Sequence, residues 1–154
     1  MVRIAELADL EQINRLRKQV NDIHVENRPD IFKAGFSQEL QDHAAEMINA
    51  ANKDILLCER DGILCGILCA ECIYRKESPF NKEHCFYHIE EIVVDEKYRR
   101  QGVATELMNF AKSEAKRLEM PRIVLDVWTF NENALAFYES VGMHTFRQWM
   151  EMDV

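Results

Sequence analysis

The chain has 154 residues, 47% of them hydrophobic and 30% charged, a composition typical of one folded domain rather than of a disordered chain or several domains. Its 19 basic and 27 acidic residues leave a net charge of −8, which argues against nucleic acid as the main partner. No apolar run approaches the ~20 residues of a membrane-spanning helix and the N-terminus lacks the apolar core of a signal peptide, so we predict a cytoplasmic protein with no membrane partner.

The first predicted elements are a short strand and two helices. Alternation over residues 2–5 predicts the strand, and Asp9 can cap a helix whose apolar residues keep near-helical spacing. This helix is expected to end before Pro29, because proline cannot continue a helix. Ser37 marks the start of a second helix, which is predicted to end around Asn52.

Three strands are predicted next. Asp61 and Gly62 separate the apolar runs 55–59 and 63–73, which predicts an antiparallel hairpin because glycine accepts a positive φ without penalty. Residues 85–94 form a further long strand that ends in three branched apolar residues.

The second half of the chain returns to helices. Apolar residues at steps of three and four over residues 104–118 predict a helix that lies on the sheet. A buried strand over 123–128, a short helix capped by Asn131 and a last strand over 145–152 follow. This order predicts an α/β fold with a mixed, mainly antiparallel central sheet flanked by helices.

The five cysteines form an odd set in a chain large enough to be held by its core, so we expect reduced thiols rather than a disulfide framework. Cys69 and Cys72 make a C-x-x-C pair, with His84 and His88 nearby. Paired zinc ligands usually lie on a tight glycine-containing turn, whereas these cysteines fall within a predicted buried strand. We therefore expect no metal.

The strongest functional signal is the junction between the strand 85–94 and the helix that follows it. The first N–H groups of a helix point outward at the positive end of its dipole, which makes this junction an anion site. Gly102 and the small Ala104 allow a phosphate to approach the main chain, and Arg99 and Arg100 add positive charge. The segment has neither the three spaced glycines of a dinucleotide loop nor the Gly-Lys-Ser/Thr of a Walker loop. A solvated basic turn is the alternative interpretation.

Residues 94–104 resemble the coenzyme A signature of the GNAT superfamily of N-acetyltransferases, Gln/Arg-x-x-Gly-x-Gly/Ala, and match it at Arg99, Gly102 and Ala104. A second family block, Asn-x-x-Ala-x-x-x-Tyr-x-x-x-Gly-Phe, is matched at Asn131, Ala134, Tyr138 and Gly142, with Met143 in place of the final Phe. The resemblance implies a single GNAT-like domain over residues 1–154 that transfers an acetyl group from acetyl-CoA to an amine.

The resemblance also assigns residues to the coenzyme A site. Main-chain groups of Ile92 and Val94 are expected to pair with the pantetheine arm, as a strand edge would. Thr105 is a candidate for a hydroxyl contact, and Asn131 for a helix cap, a coenzyme A contact or both. The pyrophosphate is expected to lie against Arg99, Arg100, Gln101, Gly102, Val103 and Ala104.

Acetyl transfer to an alkyl amine removes a proton from an ammonium of pKa ~10.4 and returns one to a thiolate of pKa ~8.5. Tyr138 is the expected donor, as family members commonly use the tyrosine at this position, with a core aromatic as the alternative role. The candidate bases are Glu91, Glu90 and Asp126, with a water relay or a merely solvent-facing carboxylate as alternatives. Because side chains alternate along a strand, Glu90 and Glu91 are expected on opposite faces, so at most one faces the cleft.

The acceptor is expected against the loops 24–36 and 79–86, since their acidic and aromatic residues suit a cation. In the first loop these residues are Glu26, Asp30, Phe32 and Phe36. The predicted substrate is an amine, either a small molecule or a peptide N-terminus, that attacks acetyl-CoA directly in a ternary complex. The alternative is a non-catalytic acyl-CoA sensor. The sequence leaves a homodimer open.

Overall fold

The computed structural model describes residues 1–154 and contains one five-stranded sheet in the order β1-β2-β3-β4-β5. Only the β4–β5 pair is parallel, so the predicted mixed, mainly antiparallel sheet is confirmed. Its strands are β1 (Val2–Ile4), β2 (Lys53–Arg60), β3 (Ile63–Arg75), β4 (His84–Val94) and β5 (Ile123–Leu125). The helices are α1 (Leu10–Asn27), α2 (Gln38–Asn49), α3 (Val103–Arg117) and α4 (Glu132–Ser140). None of them is both long enough and apolar enough to cross a membrane.

Both faces of the sheet are covered by helices, because β2 and β3 carry apolar residues on both sides. One core layer joins the sheet to α3 and the other joins it to α1 and α2. The α3 layer contains Leu56, Leu68, Tyr87, Ile89, Leu107 and Met108. The α1/α2 layer contains Ile13, Leu16, Met47, Ile55, Ile67 and Cys69.

Local signals account for several boundaries. The Ser37 hydroxyl accepts a hydrogen bond from the Leu40 N–H at 3.3 Å and so caps α2, which ends at Asn49, earlier than predicted. The hairpin between β2 and β3 is confirmed, with positive φ at both Asp61 (50°) and Gly62 (76°).

A close approach between β3 and α3 fixes where α3 begins. A Cβ placed on Gly66 would lie 2.7 Å from Cγ1 of Val103 and 2.9 Å from the carbonyl oxygen of Val93. Only glycine leaves room for this contact, so Gly66 holds the first turn of α3 against the sheet. The predicted phosphate loop is therefore attached to the core at its helical end.

A β-bulge in β4 overturns the prediction for Glu90 and Glu91. Cys69 pairs with Glu91 and Ala70 pairs with Ile89, so Glu90 is an extra residue without a partner in β3. The extra residue breaks the side-chain alternation. Both carboxylates therefore lie on the sheet face that α1 and α2 cover, instead of on opposite faces.

The end of the chain also differs from the prediction. The strand predicted over 123–128 ends at Leu125, and residues 143–154 form no strand at all. Apolar alternation favours a strand only where another strand supplies hydrogen bonds, and this segment pairs with none in the chain. Its large side chains consequently remain exposed, among them Phe146, Trp149, Met150 and Met152.

Candidate active site

The two central strands of the site, β4 and β5, separate at one end. They pair only at Tyr87–Ile89 with Ile123–Leu125, whereas β4 continues to Val94. The Asp95 N–H donates to the Cys65 carbonyl in β3 at 2.9 Å, so the main-chain groups of Val94 and Ile92 point the other way, toward the gap. The gap thus leaves main-chain groups of the two residues predicted to hold the pantetheine arm without a strand partner, and the Val94 carbonyl accepts only a long hydrogen bond from Nε of Arg99 at 3.5 Å.

The turn between β4 and α3 is anchored by Asp95. This buried carboxylate accepts a hydrogen bond from the Lys97 N–H at 3.1 Å and pairs with Arg15 of α1 at 2.6 Å. Burial opposes its ionisation, but the hydrogen bonds from Arg15 and Lys97 outweigh burial and lower the pKa of the carboxyl. Asp95 is therefore an ionised tie between the turn and α1.

The rest of the turn is open and left-handed at two positions. Arg100 has φ 61° and Gly102 has φ 83°, and a Cβ placed on Gly102 would meet no atom within 4 Å. Such turns aim successive N–H groups at one point, which is the geometry of an anion site. The main chain at Gly102 is therefore open to an approaching group.

The predicted phosphate-loop residues do not all face the open side. Val103 is buried in the core, Ala104 is half-buried and Thr105 is exposed. The Gln101 side chain donates to the Lys97 carbonyl at 2.8 Å, which stabilises the turn itself. The exposed side chains of Arg99 and Arg100 and the main chain at Gly102 supply the positive charge and the N–H groups.

Asn131 and Tyr138 lie on the helix that follows β5. The Asn131 side chain accepts a hydrogen bond from the Ala134 N–H at 3.2 Å and caps α4. Tyr138 is half-buried beside Phe137, and burial alone raises the pKa of its hydroxyl to about 12. The phenol is therefore fully protonated at neutral pH, as a proton donor must be.

Glu91 and Glu90 both have basic partners. Nε of Arg17 donates to Oε1 of Glu91 at 2.6 Å, and the same guanidinium donates to the Leu40 carbonyl of α2 at 2.9 Å. Lys53 Nζ contacts Glu90 Oε1 at 3.0 Å. Both carboxylates are therefore held by ion pairs within the protein.

Asp126 lies just beyond the end of β5. Its side chain is 78% exposed, and its Oδ2 is 3.6 Å from Nε2 of His88. Asp126 is thus the most exposed of the three candidate bases, whereas Glu90 and Glu91 lie on the face covered by α1 and α2.

Four aromatic side chains form a cluster that the sequence analysis found only in part. We call His24, Phe32, Trp128 and Phe130 the aromatic cluster. His24 stacks on Phe32 at 4.8 Å, Phe32 meets Trp128 edge to face at 5.5 Å, and Trp128 stacks on Phe130 at 5.8 Å. The sequence predicts a role for Phe32 and the loop from His24, but not for Trp128 and Phe130. The signal for these two is the alternating aromatic pattern directly after a strand.

The aromatic cluster shares α1 with the ion-pair partner of Glu91, because His24 follows Arg17 by two helical turns. Burial lowers the pKa of His24, and the nearby charge of Glu91 opposes that shift. The imidazole is therefore neutral at pH 7. The cluster thus lies on the same side of the sheet as the carboxylate that α1 holds.

Other residues predicted for the acceptor are differently placed. Asp30 is paired with Arg28 at 2.8 Å instead of being free for a cation, and Arg28 lies 5.5 Å from the Trp128 ring centre. In the second loop Phe80 is fully exposed. Phe86 stacks on His84 and meets His88 edge to face in β4, and it is not part of the aromatic cluster.

The cysteines are all free, and Cys69 and Cys72 belong to the core layers on opposite faces of the sheet. No group of three or more His, Cys, Asp or Glu side chains has the arrangement of a metal site.

Two solved structures are similar to this chain over its whole length. A mutant of the BH1408 protein from Bacillus halodurans is 26% identical and superposes with a TM-score of 0.95, covering 100% of this chain and 99% of that one. A structure of AAC(6')-Iy in complex with the bisubstrate analogue CoA-S-monomethyl-acetylneamine covers 100% of this chain and 97% of its own, at 17% identity and a TM-score of 0.79. At that identity the second likeness shows the fold alone.

Sequence comparison gives the family. L-ornithine N5-acetyltransferase NATA1 from Arabidopsis thaliana is 35% identical over 63 residues, which are 41% of this chain and only 28% of that protein. The model of the Acetyltransferase (GNAT) family matches residues 17–143, most of the chain. The chain therefore belongs to the GNAT family of acetyltransferases.

Proposed function

We propose that this chain is an N-acetyltransferase that transfers the acetyl group of acetyl-CoA to an amine by direct attack in a ternary complex. The observation that carries the proposal is the free edge of β4, which leads directly into the open left-handed turn before α3. An extended thiol arm that ends in a pyrophosphate needs this combination of a strand edge and an adjoining anion site.

Coenzyme A is proposed to bind along this path. Main-chain groups of Ile92 and Val94 pair with the pantetheine arm, and the turn from Arg99 to Ala104 receives the pyrophosphate. Asn131 and Thr105 are proposed as further contacts from the two helices. A main-chain N–H near Val94 stabilises the negative charge that develops on the thioester carbonyl oxygen.

Tyr138 is proposed to protonate the departing thiolate. With a pKa of about 12, its hydroxyl is a weaker acid than free tyrosine. Transfer to a thiolate of pKa ~8.5 is therefore uphill by about 5 kcal/mol, compared with about 2 for a free phenol. A direct hydrogen bond from the Tyr138 hydroxyl to the sulfur has to offset this cost. This bond strengthens as the C–S bond breaks, because negative charge then builds up on the sulfur.

Glu91 is the first choice among the candidate bases, because it is paired with Arg17 on the same helix that carries His24 of the aromatic cluster two turns further on. Its tie to Arg17 keeps the carboxylate oriented while the acceptor ammonium loses its proton, directly or through water. Glu90 and Asp126 remain the other candidates, and their exposure would let them act through a water relay.

The amine class is supported by a relative. The similar protein from Arabidopsis is named for acetylation of an ornithine side-chain amine. The aromatic cluster supplies faces on which an ammonium-bearing acceptor can lie. A small amine is thus the preferred acceptor, with a peptide N-terminus as the other predicted form.

A non-catalytic acyl-CoA sensor is the second candidate, since the free β4 edge and the turn would bind coenzyme A without turnover. The two functions are separated by measuring thiol release from acetyl-CoA with a panel of polyamines, amino acids, aminoglycosides and N-terminal peptides. Thiol release with one class supports the enzyme. Thermal stabilisation by coenzyme A without release for any class would support the sensor and contradict the enzyme.

A cytoplasmic location and a homodimer stay predictions. The homodimer is supported by the unpaired segment 143–154, whose apolar side chains a second copy would cover. Sedimentation equilibrium of the full chain measures its mass, and a monomer at all concentrations would contradict the homodimer.

A further inference from the structure

Arg28 lies next to the aromatic cluster and binds the carboxylate of Glu151 in a bidentate arrangement. Its Nη1 donates to Oε1 of Glu151 at 3.0 Å, and its Nη2 donates to Oε2 at 3.1 Å. Two parallel bonds of this kind are the preferred arrangement between a guanidinium and a carboxylate. The geometry therefore identifies a carboxylate site on Arg28.

The guanidinium is fixed in place without Glu151. Its Nε and Nη2 donate to Asp30 at 2.9 and 2.8 Å, its centre lies 5.5 Å from the Trp128 ring centre, and the side chain is only 22% exposed. An arginine held in this way is pre-organised to accept an anion.

Glu151, by contrast, is easily displaced. Its side chain is 75% exposed, and it belongs to the segment 143–154, which has no helix or strand and no main-chain hydrogen bond beyond Met143. Exposed ion pairs contribute little to stability. Another carboxylate can therefore replace that of Glu151 at small cost.

Arg28 is also placed on the acceptor side of the proposed active site. Its N–H donates to the His24 carbonyl at 2.8 Å, so the two residues lie one turn apart at the end of α1. His24 contacts Phe32 and Phe130, and the charge of Glu91 acts on its imidazole. An acceptor lying along the aromatic cluster would thus have Arg28 at one end and Glu91 at the other.

We propose that Arg28 binds a carboxylate of the acceptor, so that the substrate class is an amine that also carries a carboxylate, such as an amino acid. This inference rests on the proposed acetyltransferase function and deepens it. Glu151 holds the site in the absence of substrate and competes with the substrate carboxylate. A plain polyamine has no carboxylate for Arg28 and so gains no binding energy from this site.

Matched pairs of amines test the inference. Thiol release from acetyl-CoA is measured for L-ornithine against putrescine and for L-lysine against cadaverine, pairs that differ only in the carboxylate and keep a side-chain amine. We expect a higher kcat/KM for the carboxylate-bearing member of at least one pair. A preference for the decarboxylated member in every pair would overturn the inference and leave the acetyltransferase function standing.

Variants then assign the preference to Arg28. Arg28→Gln should lower the ratio of kcat/KM for the preferred amino acid over its decarboxylated partner by ~10- to 100-fold, the value of a lost charge-assisted pair. Arg28→Lys keeps the charge but loses the fork, so it should recover only part of the ratio. Lys33→Gln removes an exposed charge from the same loop and is the matched control, which should keep the wild-type ratio.

Glu151→Gln tests the competition. Without the competing carboxylate, the KM for the amino acid should fall by up to ~5-fold. An unchanged KM would remove Glu151 from the proposal.

Two further results distinguish a carboxylate site on Arg28 from a coenzyme A contact of Arg28 and from failure of the proposed function. If Arg28→Gln weakens coenzyme A binding in calorimetry, Arg28 belongs to the coenzyme A site and the inference is wrong. If coenzyme A binds but no amine releases thiol, the proposed function fails, and titration of L-ornithine into the coenzyme A complex decides the carboxylate site alone. Absence of Arg28-dependent binding there would overturn it.

Discussion

Arg17 in α1 donates from Nε to Oε1 of Glu91 in β4 at 2.6 Å, so the bulged strand is tied directly to the helix that leads into the aromatic cluster. The bulge makes this contact possible, because regular alternation continued from Ile89 through Glu90 would turn the Glu91 side chain toward α3. The ion pair fixes the position of Glu91, the first-choice base, relative to α1, which borders the proposed acceptor side of the site.

Single substitutions of Glu91 and of Arg17 distinguish a catalytic role of Glu91 from a positioning role. If Glu91 removes the acceptor proton, Glu91→Gln should lower kcat by ~100-fold or more, whereas Arg17→Gln should lower it much less. Both variants should lose stability because each breaks a mostly buried ion pair. Melting temperatures and steady-state rates are measured on the same samples. Equal losses of activity in the two variants would make Glu91 a positioning residue rather than the base.

The other candidate bases are tested in parallel. Under the same assignment, Glu90→Gln and Asp126→Asn should each change kcat by less than ~10-fold, because each carboxylate is replaced by an isosteric amide outside the proton path. A loss of ~100-fold in either variant would transfer the role of base to that residue.

For Tyr138 we expect Tyr138→Phe to lower turnover at least ~10-fold, since the leaving thiolate loses its proton donor. Coenzyme A affinity, measured by calorimetry, should stay near the wild-type value because the ring is retained. Tyr74→Phe removes the hydroxyl of an exposed tyrosine in β3 and provides the control. Turnover equal to that of the wild type would exclude Tyr138 from the chemistry.

At Gly102, the substitution Gly102→Glu should abolish coenzyme A binding, because a carboxylate would stand where the pyrophosphate is proposed to dock. The left-handed backbone also strains any side chain there. Gly35→Glu has almost the same φ, 86° against 83°, and equally open surroundings, so it reproduces the strain and the charge away from the turn. If both variants bind alike, the phosphate assignment of the turn is incorrect.

The ionisation of Asp95 should appear in the pH dependence of stability. Its folded pKa lies below the unfolded value near 3.8, so the carboxylate stabilises the fold above that pH, and this contribution is lost as the pH falls through the lowered folded pKa. Asp95→Asn should therefore lower the free energy of unfolding by about 1 kcal/mol at pH 7. Denaturant titrations from pH 7 down to acid should show the two proteins converging. A difference that is independent of pH would contradict an ionised Asp95.

The sequence by itself determined most of the fold and the turn at which coenzyme A is proposed to bind. Local signals were sufficient for these features: the hairpin at Asp61 and Gly62, the cap of α2 at Ser37, and the glycine-bearing turn before α3 all depend on neighbouring residues. The same local turn chemistry carried the family resemblance at Arg99, Gly102 and Ala104.

Only the tertiary structure decided the features that depend on distant partners. The bulge at Glu90 arises from register with β3, the ionic contacts of Glu91 come from residues in α1, and the segment 143–154 lacks the neighbour that its alternation requires. The aromatic cluster joins His24 and Phe32 to Trp128 and Phe130, about a hundred positions along the chain. Periodicity reports the preference of a segment, whereas register and long-range contact depend on which other segments reach it.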